Sequence, residues 1–165
     1  ILPLPPYEQA LEWLQNQVGE SAGPLLDAAQ GAPLRALALE QSEWFADRAR
    51  LLEVLVSVAE GRQSVAQASP ILSRHDPTEM AGVIYGWLSR CLHQAYSGQQ
   101  SADPSLAPLL ARLSRAVPPA RLLRAAQRVL EGRRALMSGA NPNKDLLYEQ
   151  WLLVLVGVDA AAAAH

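Results

Sequence analysis

The stretch Ser138-Gly139-Ala140-Asn141-Pro142-Asn143-Lys144-Asp145-Leu146-Leu147-Tyr148-Glu149, running into Gln150-Trp151-Leu152-Leu153, holds a helix stop, a loop and a helix start. Gly, Asn and Pro break one helix, and Asn143 can cap the next by accepting a backbone N–H bond from its first turn. Asp145 then lies where the helix dipole favours an anion. From Trp151 to Val156 the new helix is apolar almost all round. Such a helix has to be buried, in its own core or against another chain.

The rest of the chain repeats this grammar, and every periodic segment reads as helix, with no sustained alternation of period two. One helix follows Pro5-Pro6, with Tyr7, Ala10, Leu11, Leu14 and Val18 on one face, and ends at Gly19. Ser21 can cap a short second helix around Leu25-Leu26, and a third starts at Pro33 and carries Leu34, Leu37 and Ala38. A longer helix is predicted from about Glu43 to Gly61, with Phe45, Leu52, Leu55, Val56 and Ala59 inward. A short one covers residues 64–73. Asp76-Pro77-Thr78-Glu79 places Asp at the N-cap, Pro at the first helical position and Glu at the third. Met80, Ile84, Trp87, Leu88, Cys91 and Ala95 then repeat at three and four until Gly98. After a polar loop over 99–104 come a short helix over 106–116 and a long one opened by Pro118-Pro119. The long helix turns Leu122, Leu123, Ala126, Val129, Leu130 and Met137 to one side, and the last helix covers 144–156. The expectation is an all-α chain of about nine helices, with a boundary near residues 41–43 and no repeat of fixed period.

At 165 residues the chain suits one or two small domains and can bury a real core. No apolar run approaches the roughly 18 residues of a membrane span. Cys91 is the single cysteine, so no disulfide can close within the chain. The opening Ile1-Leu2-Pro3-Leu4-Pro5-Pro6 reads as an interdomain linker, so the chain is expected to be the C-terminal part of a longer protein. The tail 159–165, with five alanines, is set aside from the fold as native or appended. The formal charge of −2 hides an asymmetry: residues 1–60 hold nine acids against Arg35, Arg48 and Arg50, whereas 105–135 hold seven arginines against Glu131.

Catalytic and ligand-binding patterns are sparse. There is no Gly-x-x-x-x-Gly-Lys-[Ser/Thr] loop to cradle a triphosphate. Cys91 and His93 diverge on one helix and His75 precedes a cap, which makes a structural zinc site improbable by ligand count and spacing. Cys91 falls on an apolar stripe, as a small core residue would. Glu8 and Glu12 read as a solvated face and not as a general acid/base pair. Arg121, Arg124 and Arg128 share a face, with Arg112 and Arg115 on the helix before. This set could face phosphates, solvent or the carboxylates of a neighbouring subunit. No aromatic is interleaved to stack bases, so solvent or a subunit is the expectation.

The sequence over Asn143-Lys144-Asp145-Leu146-Leu147 resembles the opening of the last helix in the delta-prime subunit of the bacterial DNA polymerase III clamp loader. Two further stretches resemble that family in order and spacing. Leu4-Pro5-Pro6-Tyr7-Glu8-Gln9-Ala10-Leu11-Glu12-Trp13-Leu14 is similar to its Pro-rich approach to the lid. Gly31-Ala32-Pro33-Leu34-Arg35-Ala36-Leu37 is similar to the helix start that carries the sensor-2 arginine in ATP-binding AAA+ relatives. The resemblance covers about residues 2–157. It implies a small three-helix AAA+ lid over 1–42 and a helical collar of about five to six helices, the oligomerisation domain, over 43–158.

This sequence departs from the ATPase pattern at sensor 2. Leu34 stands where the arginine would be, and Arg35 follows about 100° around the helix. Either Leu34 is core and Arg35 a solvated charge, or the sensor is degenerate; both readings leave no nucleotide work here. The resemblance implies a fragment that is not an enzyme and needs no cofactor or metal. It would lie within the cytoplasmic polymerase III holoenzyme, a nucleotidyltransferase assembly. Its collar would hold delta and the gamma/tau subunits in the ring that loads the sliding clamp onto primed DNA. DNA would be met through the whole complex, with no membrane and no small-molecule substrate. Arg121, Arg124, Arg128, Asn143, Lys144 and Trp151 are the candidates for an interface between subunits. The alternatives are the C-terminal region of gamma/tau or delta, or an unrelated helical nucleic-acid-binding module.

Overall fold

The computed structural model describes residues 4–98 and 103–158, so the linker reading at residues 1–3, most of the polar loop and the alanine tail lie outside the described residues. Every regular element among them is helical. The α-helices are α1 Tyr7–Val18, α2 Ala22–Ala28, α3 Pro33–Leu39, α4 Glu43–Ala46 and α5 Arg48–Ala59, then α6 Val65–Leu72, α7 Pro77–Ser97, α8 Ala107–Ala116, α9 Pro119–Met137 and α10 Lys144–Leu155. A 3-10 turn, Gly19–Ser21, links the first two. α1, α2 and α3 pack on one another, while α9 lies against α7 and α10, α8 against α5 and α7, and α10 also covers α6 and α5. Buried apolar residues from both groups form one continuous cluster, from Ala10 to Leu155.

The helix boundaries written in local sequence are where the chain has them. Asp76 accepts from the Glu79 N–H at 3.0 Å to open α7, which closes on Gly98 at φ 75°. Ser64 and Gln67 form a reciprocal capping box at α6. Asn143 accepts from the Leu146 N–H at 3.2 Å and so caps α10. Removing that acceptor costs about 0.5–2 kcal/mol. Asn143→Ala should therefore lower the chain's stability by that amount in a urea titration, and an unchanged midpoint would show that the bond carries no weight.

Several expectations need correction. Ser21 makes no side-chain cap, because the chain enters α2 from the 3-10 turn with Ser21 itself near helical geometry. The helix predicted from Glu43 breaks at Asp47, giving ten α-helical segments among the described residues instead of nine. Arg48 explains the break. Its guanidinium donates to the Phe45 carbonyl at 2.9 Å and lies 4.2 Å from the Phe45 ring centre, so a side chain ties off the end of α4. Tyr7, Leu123 and Met137 are exposed, and so is Ala95. Leu122, Ala125, Ala126 and Val129 fill the inner face of α9, and Leu123 lies about 100° away from Leu122 around the helix. Ala95 sits in the last turn of α7, past Cys91, the last buried residue of that helix.

Candidate interface residues and the junction between the helical groups

α9 and α10 form an antiparallel pair with an unusually close crossing. A Cβ on Gly132 of α9 would stand 3.0 Å from two indole atoms of Trp151 and 3.3 Å from Leu147 on α10. Trp151 is 2% exposed and meets Tyr148 edge-on, with ring centres 5.2 Å apart. The Tyr148 hydroxyl donates to the His75 carbonyl at 3.1 Å, and burial pushes its pKa up. Trp151 is thus enclosed by its own chain and has almost no surface left to give a partner.

The other interface candidates fall at the two ends of this pair, except Arg128, which sits midway along α9. The Arg121 guanidinium lies beside Gly157, 3.1 Å from where a Cβ there would be, next to the C-terminal end of α10. A cation is favourable beside that end of a helix. Arg124, one turn on, is exposed, and Arg128 is half-buried with Glu131 at 4.0 Å. Asn143 and Lys144 lie at the opposite end, where α10 begins, and Lys144 is exposed there.

The wider arginine set does not form one surface. Arg112 turns to α5, where it meets Glu53 at 3.2 Å, and to Glu60 at 2.6 Å, and Arg62 joins the same two acids at 2.9 and 2.8 Å. The Arg112 hydrogen bond is the main influence holding the Glu60 carboxyl below the usual range. Arg115 stays exposed on α8. The acid-rich first third and arginine-rich last third of the sequence therefore neutralise each other in part within the chain. That asymmetry was the signal that could have found this network.

The sensor-2 region has a defined geometry as well. Leu34 is 74% exposed, so the reading of Leu34 as core does not hold. α3 has seven residues, and Ala36 is the one it buries. Arg35 lies on a different side of the helix and lines the junction with α7.

No sequence pattern points to that junction. Asp27 of α2 pairs with Arg90 of α7, tying the first helical group to the second. Burial depresses the Arg90 pKa, an effect that nearby Tyr7 and Asp103 oppose. Asp103 is 1% exposed and pairs with Arg48 Nε at 2.7 Å. It also accepts from the Ser105 N–H at 3.0 Å, shaping the turn into α8. The Trp44 indole N–H donates to the Glu79 carboxylate. Cys91 Sγ is buried 3.6 Å from the Leu110 carbonyl, as its apolar stripe implied. No helix among the described residues is long and apolar enough to cross a membrane.

A family model described as "DNA polymerase III, delta subunit, C terminal" matches residues 42–156. The match begins at Ser42, which precedes α4, and ends at Val156, which follows α10. It thus spans the whole second helical group. No curated protein matches the chain.

Proposed function

Because the chain belongs to the family defined by the C-terminal domain of the DNA polymerase III delta subunit, whose members serve the clamp loader in DNA replication, we propose that it is the lid and collar of a delta-prime-type subunit. The observation that carries the clamp-loader reading is the match over α4–α10. The narrower assignment is supported by the Asn143-Lys144-Asp145-Leu146-Leu147 helix start. It is also supported by Leu34, an exposed apolar side chain where an ATPase lid would carry its arginine. On this reading α1–α3 are the lid, α4–α10 the collar, and the chain works by packing, without making or breaking a bond. Its partners are delta and gamma/tau in the cytoplasm, and it meets DNA through the assembled ring.

The description of the matching family favours a second reading, delta itself. An omission experiment separates the two. The chain is mixed with gamma/tau and delta, or with gamma/tau and delta-prime, and each mixture is passed over a size-exclusion column. Incorporation in the first mixture supports delta-prime, and incorporation in the second alone supports delta.

Arg124 is the exposed member of the α9 arginine face, so it makes the cleaner test of that face. Arg121 would confound the result, since a carboxylate beside the end of α10 is unfavourable in its own right. Arg124→Glu is expected to weaken incorporation into the ring while leaving the isolated chain folded. If Arg124 instead gripped a phosphate, incorporation would be intact and the log–log salt slope of DNA binding would fall by about one.

A further inference from the structure

We propose that the cleft where α2 and α3 face α7 binds a small aromatic carboxylate. The cleft offers an open space of about 90 Å³. A single water needs roughly 10–15 Å³ of such room, so the space holds much more than one. Its lining includes Trp44 and Trp87, both buried, and such large aromatic side chains suit a planar ring.

The charge lining the cleft selects the sign of the ligand. Three guanidiniums, of Arg35, Arg48 and Arg90, stand against the carboxylates of Asp27 and Asp103, which leaves one positive charge. Arg48 and Arg90 are engaged by the two aspartates. Arg35 has no hydrogen-bond or ion-pair partner among the described residues and remains available to a bound carboxylate. A guanidinium can hold a carboxylate through two parallel bonds, which a cation or a neutral ring cannot exploit.

α7 keeps the space open at a cost to itself. Gly82 and Gly86, one turn apart inside this 21-residue helix, both line the cleft. An interior glycine costs a helix about 1 kcal/mol relative to alanine. Close packing demands neither of them. A Cβ at Gly86 would meet nothing within 4 Å, and one at Gly82 would make ordinary contact with Arg133 at 3.8 Å. The absent side chain at Gly86 leaves room in the cleft, whereas one at Gly82 would reach toward Arg133 of α9.

Benzoate is the probe, with acetate (charge without a ring) and benzylamine (a ring of opposite charge) as controls, all at fixed ionic strength. The readout is the indole N–H resonances of the whole chain in a two-dimensional nitrogen–proton spectrum. Saturable shifts of the Trp44 and Trp87 signals with benzoate are expected, with Trp151 unmoved. Arg35→Gln should weaken binding about tenfold, one charge-assisted contact being worth that much. Gly86→Leu should abolish binding by filling the cleft, while an unchanged Trp151 signal reports the intact fold. If Leu disturbs the helix, Gly86→Ala, which favours helix, should still weaken binding by narrowing the space. The proposal is overturned by a linear, unsaturable response to benzoate, by equal shifts with acetate or benzylamine, or by full affinity in a folded Gly86 variant.

Discussion

Trp151→Ala is expected to destabilise the chain by about 3–5 kcal/mol, the usual cost of emptying a buried aromatic site. Total stabilities of native domains are about 5–15 kcal/mol, so the variant would sit near the edge of folding. Trp151 joins α10 to the core in two directions at once: edge-on to Tyr148, and against the gap that Gly132 leaves on α9. Urea unfolding followed by circular dichroism measures the effect, with Trp151→Phe as a control that keeps much of the ring. A loss below about 1 kcal/mol for the alanine variant, well under the usual range, would show that this crossing contributes little.

The second large effect is expected at Asp103. Asp103→Ala removes the partner of Arg48, and stranding one member of a buried pair costs about 3–5 kcal/mol. The Arg48 side chain is 17% exposed, so partial access to water places the expected loss at the lower end. Asp103 also accepts from the Ser105 N–H, and that turn would loosen with it. The double replacement Arg48→Met with Asp103→Leu is expected to recover most of the loss, since an apolar pair leaves no charge unpaired. Equal instability of the single and double variants would mean that the turn into α8, and not the ion pair, governs this corner.

Sequence reading is most accurate where structure is determined within a turn or two. Asp76, Pro77 and Glu79 sit within four residues and start α7 by themselves, and Asn143 starts α10 in the same way. Cys91 is legible as core because its neighbours repeat at helical spacing. Failures come where a distant residue decides. The break between α4 and α5 depends on Arg48 reaching back to the Phe45 carbonyl while also pairing with Asp103, 55 positions away. Leu34 has the composition of a core residue, yet it is 74% exposed, because α3 turns Ala36 and not Leu34 to the neighbouring helices. The Asp27–Arg90 pair joins elements 63 residues apart, so no local pattern announces it. Arg112 is the intermediate case, for its acids lie far off but the opposed charges of the two ends of the chain point to them.

The central claim is that this chain is a ring subunit of a clamp loader, held there by its own helices. Native mass spectrometry of the chain mixed with delta and gamma/tau tests it most directly. One copy of the chain per assembled ring, with no ring when the chain is left out, is the predicted result. A chain that stays free while the other subunits assemble without it, in this mixture and in the one with delta-prime, would contradict the claim.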